Sequence, residues 1–71
     1  MQQLNKPTYS EQVVNLIRQR IRNGKLRSGD RIREASIGEE CGISRAPVRE
    51  ALYQLETEGF LMSHPKRGKC V

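Results

Sequence analysis

The stretch EASIGEECGISRAPVREALYQL, residues 34–55 of a 71-residue chain, decides the fold. It holds a short helical pattern, a break at Gly42-Ile43-Ser44, and a second helical pattern whose first turns carry Arg45 and Arg49. In the second pattern Val48, Ala51, Leu52 and Leu55 recur at i, i+3, i+4 and i+7, which is one apolar stripe at the helical period. Arg45 and Arg49 stand four apart and off that stripe, so both guanidinium groups project together from the opening turns. Such a helix buries one face and offers the other to a partner. Ser44 suits the N-cap, where its hydroxyl would accept from an early backbone N–H, and Pro47 is tolerated in a first turn whose amides lack intrahelical partners.

Upstream, Ile37 and Cys41 lie four apart on one face of the shorter helix, and Cys41 reads as a small core residue. Gly38 is small where a second helix can approach, Gly42 permits a sharp turn, and Ile43 is the apolar plug beneath it. A capping box from Ser36 to Glu39 would leave barely one turn before Gly42, so the helix start is placed nearer Glu34. Two helices joined by three or four residues with a glycine form a helix-turn-helix, whose second member reads the major groove.

Outward from this motif the remaining elements follow. Residues 1–9 are polar, include Pro7 and show no period, which predicts a flexible N-terminal arm. From Ser10, a suitable N-cap, Val13, Val14, Ile17 and Ile21 trace one helical face with Leu16 at its edge, until Asn23-Gly24 stops the pattern. Arg18, Arg20 and Arg22 occupy the other face, solvated or near phosphates rather than reading bases. A turn at Ser28-Gly29-Asp30 leads to Arg31-Ile32-Arg33, an alternating fragment fit for a very short strand. After Gly59, Phe60-Leu61-Met62 begins a strand, Pro65 to Gly68 turns, and Lys69-Cys70-Val71 returns. Two strands about a basic turn, following a helix-turn-helix, make a wing. The expected fold is mainly α with a small β wing, a winged helix-turn-helix of three helices plus a short antiparallel sheet. It occupies residues 10–71, with the helix-turn-helix at about 34–55 and the wing at about 60–71.

Thirteen Lys plus Arg against eight Asp plus Glu give a net charge of +5. That balance favours a polyanionic partner, without separating DNA from RNA or an anionic membrane. Placement narrows the choice: Arg45 and Arg49 open the second helix, Lys66, Arg67 and Lys69 cluster near the end, and Glu39, Glu40, Glu56 and Glu58 lie apart from both. Hydrophobic residues are 35% of the chain and aromatics 4%, so the core is small and built from Ile, Leu and Val. No apolar run has membrane-span length and Met1-Gln2-Gln3 begins no signal peptide, which predicts a cytoplasmic protein. Cys41, Cys70 and His64 have no spacing for a disulfide framework or a zinc site, and no metal or cofactor is expected. There is no nucleophile with a His partner, no paired acids and no phosphate-cradling glycine loop, so an enzyme is the least favoured class.

The run Ile43-Ser44-Arg45-Ala46-Pro47-Val48-Arg49-Glu50-Ala51-Leu52, followed by Leu55, Glu58-Gly59-Phe60-Leu61 and Arg67-Gly68, resembles the GntR family of bacterial transcription regulators. Ile21-Arg22-Asn23-Gly24-Lys25-Leu26 and Gly29-Asp30-Arg31-Ile32 resemble the same family's segment between helices one and two. The resemblance implies that Arg45, Arg49 and the wing glycine Gly68 match DNA-contacting positions. It also shows two departures. Ala35 stands where many members carry an arginine early in helix two, a loss that the nearby Arg33 could partly offset, and Ser28 replaces a frequent proline. Members are two-domain proteins, so the resemblance implies a C-terminal domain, absent from this chain, that binds a small-molecule effector and forms a homodimer. It points to the subfamily whose effector domain is all-helical.

Three functions remain open on the sequence. The first is a transcription regulator, such as a repressor, that binds a palindromic double-stranded DNA operator. Arg45 and Arg49 would read bases, Ser44, Ala46 and Pro47 would shape the approach, and Ala46 could touch a thymine methyl. The wing, through His64, Lys66, Arg67 and Gly68, would lie on the backbone or in the minor groove. Structural roles compete, since Arg45 could reach a carboxylate of helix two and Gly68 could simply permit a turn. The others are a non-specific nucleic-acid binder and a protein-interaction winged helix.

Overall fold

Helix α1 (Tyr9–Arg22) begins with a reciprocal cap. Thr8 Oγ1 accepts from the Glu11 amide at 3.1 Å, and Glu11 Oε1 accepts from the Thr8 amide at 2.7 Å. The cap is therefore Thr8, not Ser10, because only a Thr-x-x-Glu spacing satisfies two first-turn donors at once. A computed structural model describes residues 7–71. Of the expected arm, residues 1–6 lie outside the described residues, Pro7 and Thr8 precede the helix, and Tyr9 is already within it. At the far end the Asn23 amide donates to the Gln19 carbonyl and the Leu26 amide to the Arg20 carbonyl, which turns the chain away from α1.

Strand β1 (Arg31–Ile32) leads directly into α2 (Glu34–Cys41). Gly42 ends α2 at φ +69°, a left-handed backbone that closes the turn to α3 (Arg45–Thr57). Gly38 is buried beneath that turn. A Cβ there would stand 3.1 Å from the Ile43 carbonyl oxygen and 4.0 Å from Val48 Cγ2, so the small residue sets how closely α2 meets the start of α3. Ser44 has the extended N-cap backbone, but its side chain makes no capping hydrogen bond, and α3 is held by its buried stripe rather than by its cap. That stripe is Val48, Ala51, Leu52 and Leu55, as the spacing predicts.

The helix α3 stops where Gly59 adopts φ +90° and the Phe60 amide donates back to the Leu55 carbonyl at 2.9 Å. Strand β2 (Met62–His64) starts two residues later than Phe60, because Phe60 and Leu61 both spend their amides on Leu55. Strand β3 (Gly68–Cys70) returns antiparallel to β2, pairing Ser63 with Lys69. The other edge of β3 pairs with β1, Arg31 opposite Cys70 and Ile32 opposite Lys69, so the sheet order is β1-β3-β2. The Val71 amide donates to the Asp30 carbonyl at 2.9 Å and the Gly29 amide to the Val71 carbonyl at 3.0 Å, which lengthens that seam.

Val13, Val14 and Ile17 of α1 pack against the α3 stripe, with Ile32, Ile37 and Leu61 closing the ends of one core. No polar or charged residue is buried among the described residues, and no helix there is long and apolar enough to cross a membrane. Cys41 corrects the sequence reading: it is exposed, because it borders an open hollow with Gln12, Val13 and Leu16 of α1 rather than packing against them, whereas Cys70 is buried. The architecture is three helices with a small antiparallel sheet, a winged helix-turn-helix.

Candidate nucleic-acid interface

Burial of Val48, Ala51, Leu52 and Leu55 leaves Ser44, Arg45, Ala46 and Arg49 exposed on the opening turns of α3, with Pro47 half-buried at their edge. The five residues expected to read or shape the groove are thus brought together on one surface. Arg49 has a partner that i, i+4 reasoning does not find. Its Nε donates to Glu34 Oε2 at 3.3 Å and its Nη2 to Glu34 Oε1 at 3.2 Å, a two-pronged contact across the helix-turn-helix. The hydrogen bond and the charge of Glu34 raise the Arg49 pKa, so the group stays cationic. The carboxylate of helix two is therefore engaged by Arg49 rather than by Arg45. Arg45 has no ion-pair partner among the described residues.

The wing is fastened to α3 by polar contacts. Lys69 Nζ donates to Glu56 Oε1 and to Ser63 Oγ, both at 2.7 Å, and Ser63 Oγ donates to Glu56 Oε2 at 2.7 Å. Hydrogen bonds from Lys69 and then Ser63 hold the Glu56 carboxyl below the usual carboxylate range. Lys69 thus leaves the expected basic cluster: its charge ties β3 to α3 instead of facing a partner. Arg67 Nη2 donates to the Gly29 carbonyl at 3.1 Å, which anchors the wing turn to the loop before β1. His64 and Lys66 are exposed at the turn, and Gly68 opens β3 at φ +75°.

Two α1 arginines also have structural work. Arg18 pairs with Glu58 and stacks over the Phe60 ring at 5.8 Å, while Arg20 pairs with Glu40 of α2. Those contacts cross-link the three helices. Both side chains stay partly exposed, and their carboxylates sit 40 and 20 residues away in the chain.

The expected contact set omits Arg31, which lies beside Gly68 and shares a hollow with Arg33, Ala35 and Arg45. Its signal was the alternation of Arg31-Ile32-Arg33, two cations flanking one core residue. No group of three or more potential metal ligands occurs among the described residues.

Residues 9–71 match the family model described as bacterial regulatory proteins, gntR family. The chain is 39% identical over 66 residues to the HTH-type transcriptional regulator YdhC of Bacillus subtilis, covering 92% of this chain and 30% of that protein. It is 40% identical over 68 residues to the mannosyl-D-glycerate transport/metabolism system repressor MngR of Escherichia coli, covering 94% of this chain and 28% of that one. Among solved structures, a GntR family transcriptional regulator from Pseudomonas syringae superposes with a TM-score of 0.83 at 33% identity, over 93% of this chain and 30% of the other. The chain therefore spans under a third of the length of these relatives.

Proposed function

The chain belongs to the gntR family of bacterial regulatory proteins, and we propose that it is the duplex-reading part of a transcription regulator acting on a specific operator. The observation that carries this reading is the division of α3. Four apolar residues are sunk in the core, and Arg45 and Arg49 stand exposed on the opposite side of its first two turns. A helix so divided lies in a major groove with its N-terminal residues at the base edges.

Arg45 and Arg49 offer planar forks that match the paired acceptors of guanine, with Ser44, Ala46 and Pro47 setting how closely the helix enters. Glu34 holds Arg49 in a fixed direction before DNA arrives, which lowers the side-chain entropy lost on binding. Arg33 supplies a cation beside Ala35. His64, Lys66 and Arg67 with Gly68 place the wing on the sugar-phosphate backbone or the adjacent minor groove. The full-length protein acts as a homodimer on a palindromic site, under the control of an effector held by a further domain.

Selection of bound duplex from a random pool, followed by titration of the selected and a scrambled duplex at several salt concentrations, tests this reading. Arg49→Ala should weaken binding to the selected duplex by about 5- to 150-fold and relax specificity. Lys66→Ala should weaken both duplexes alike and lower the salt slope by about 1. A wild-type affinity ratio near one between the two duplexes overturns sequence-specific reading.

A further inference from the structure

Arg31 and Arg33 flank Ile32, whose side chain is sunk in the core at 6% exposure. Arg33 keeps extended backbone at φ −111°, ψ 127°, so side chains alternate through this segment and both arginines leave the face opposite Ile32. That face borders a hollow of about 310 Å³ between the wing and the two helices, which Arg45 enters from the start of α3. Ala35 and Gly68 keep it open. A Cβ at Gly68 would come within 3.9 Å of Arg31 Nε and 4.0 Å of its Nη2, so the guanidinium lies close over the wing backbone.

The charges around the hollow do not balance. Arg31, Arg33 and Arg45 have no carboxylate partner among the described residues. The other two charged groups that line it are already engaged, Glu34 by Arg49 and Lys69 by Glu56. Three like charges converging on one concave surface repel one another until an anion enters. The chemistry that matches is a tetrahedral phosphate, because its oxygens accept from several guanidinium forks at once.

We propose that this hollow seats a single phosphodiester of the bound duplex, gripped by Arg31 and Arg33, and that this contact sets the register in which Arg45 and Arg49 meet the bases. The proposal rests on the DNA reading above and deepens it. Arg31 and Arg33 are positioning residues: they fix where the recognition helix enters, and Arg45, at the groove side of the hollow and without a carboxylate partner among the described residues, stays free for the base edges.

A single seat makes a distinctive salt prediction. Neutralising one phosphate contributes about 0.9 to the salt slope, so the double variant Arg31→Gln/Arg33→Gln should lose about 0.9 rather than twice that. Its affinity at physiological salt should fall roughly tenfold on the scrambled duplex and further on the selected one, where the register of Arg45 and Arg49 is lost as well. Methylphosphonate substitution, one linkage at a time, then locates the seat. One linkage per half-site should weaken wild type and leave the double variant unaffected. Inorganic phosphate added at constant ionic strength separates the sources. Competition only at the level of other anions supports the duplex phosphodiester, whereas tight phosphate binding with unchanged DNA affinity in the variant would make the hollow a site for a free phosphate and overturn the proposal. A slope loss near 1.8, or no linkage with coupled behaviour, also overturns it. If wild type discriminates between duplexes and the variant keeps wild-type affinity and salt slope on both, only the seat fails; if wild type does not discriminate, the DNA reading itself fails. An unchanged urea midpoint for the double variant confirms that it folds.

Discussion

Truncation of Leu55 to alanine should cost this domain about a third or more of its stability. Leu55 has 0% exposure, lies in the α1–α3 packing layer, and precedes the turn in which its own carbonyl accepts from Phe60 and Leu61. Enclosed Leu→Ala changes cost about 2 to 5 kcal/mol, and a site walled by two helices that cannot collapse without moving the wing turn belongs at about 3 kcal/mol or above. A chain of this length holds about 4 to 11 kcal/mol in total. The melting temperature should therefore drop by about 12 to 24 °C for a 3 kcal/mol loss. Urea unfolding followed by circular dichroism gives the free energy directly, with an unchanged m-value. Tyr53→Ala is the internal control, two positions away on the same helix and 69% exposed, and should change stability by no more than about 0.5 kcal/mol. A Leu55→Ala loss under about 1 kcal/mol at constant m, or an equal loss for Tyr53→Ala, would refute the assignment of α3's buried stripe.

Two further outcomes follow from the caps and the ion pairs. Gly42→Ala should destabilise by about 1 to 2 kcal/mol through its φ of +69° alone, since a Cβ there meets no neighbour, and Gly42→Asn should lose less in the same urea measurement. Hydrogen bonds from Arg20, from Lys69 and Ser63, and from Arg18 and Gln54 hold the carboxyls of Glu40, Glu56 and Glu58 below the ordinary 4.5. The folded state thus favours their charged forms. Their contribution is present above the ordinary carboxylate range and disappears as pH falls below it through each lowered value. The urea midpoint should decline between pH 6 and pH 3, more shallowly for a variant with all three as Gln; a midpoint that holds or rises on acidification contradicts this.

The periodic parts of the molecule were readable from sequence because a period of 3.6 or 2 reports burial directly. Val48, Ala51, Leu52 and Leu55 gave α3, and Arg31-Ile32-Arg33 marked β1. Cys41 misled because an eight-residue helix offers too few turns to tell the core stripe from its neighbour. The choice between Thr8 and Ser10 turned on Glu11, a partner that only one of them has at the right spacing. What sequence could not show was which carboxylate each arginine meets. Glu34 and Arg49 are 15 residues apart, Glu56 and Lys69 13, and Arg18 and Glu58 40, and only the assembled fold brings them together. Those pairings shape the candidate surface: they tie Arg18, Arg20 and Lys69 to neighbouring elements, hold Arg49 against Glu34, and leave Arg31, Arg33 and Arg45 without carboxylate partners among the described residues.

The seam between β1 and β3 has a kinetic consequence. Arg31 and Ile32 pair only with Cys70 and Lys69, so the strand that leads into the helix-turn-helix has no ladder partner until nearly the last described residue is made. On the ribosome, α1, α2 and α3 can collapse on one another while the sheet is still impossible, and closure of a loop of nearly forty residues comes last. Substitutions in the seam should therefore chiefly hasten unfolding, whereas those between α1 and α3 should also slow refolding.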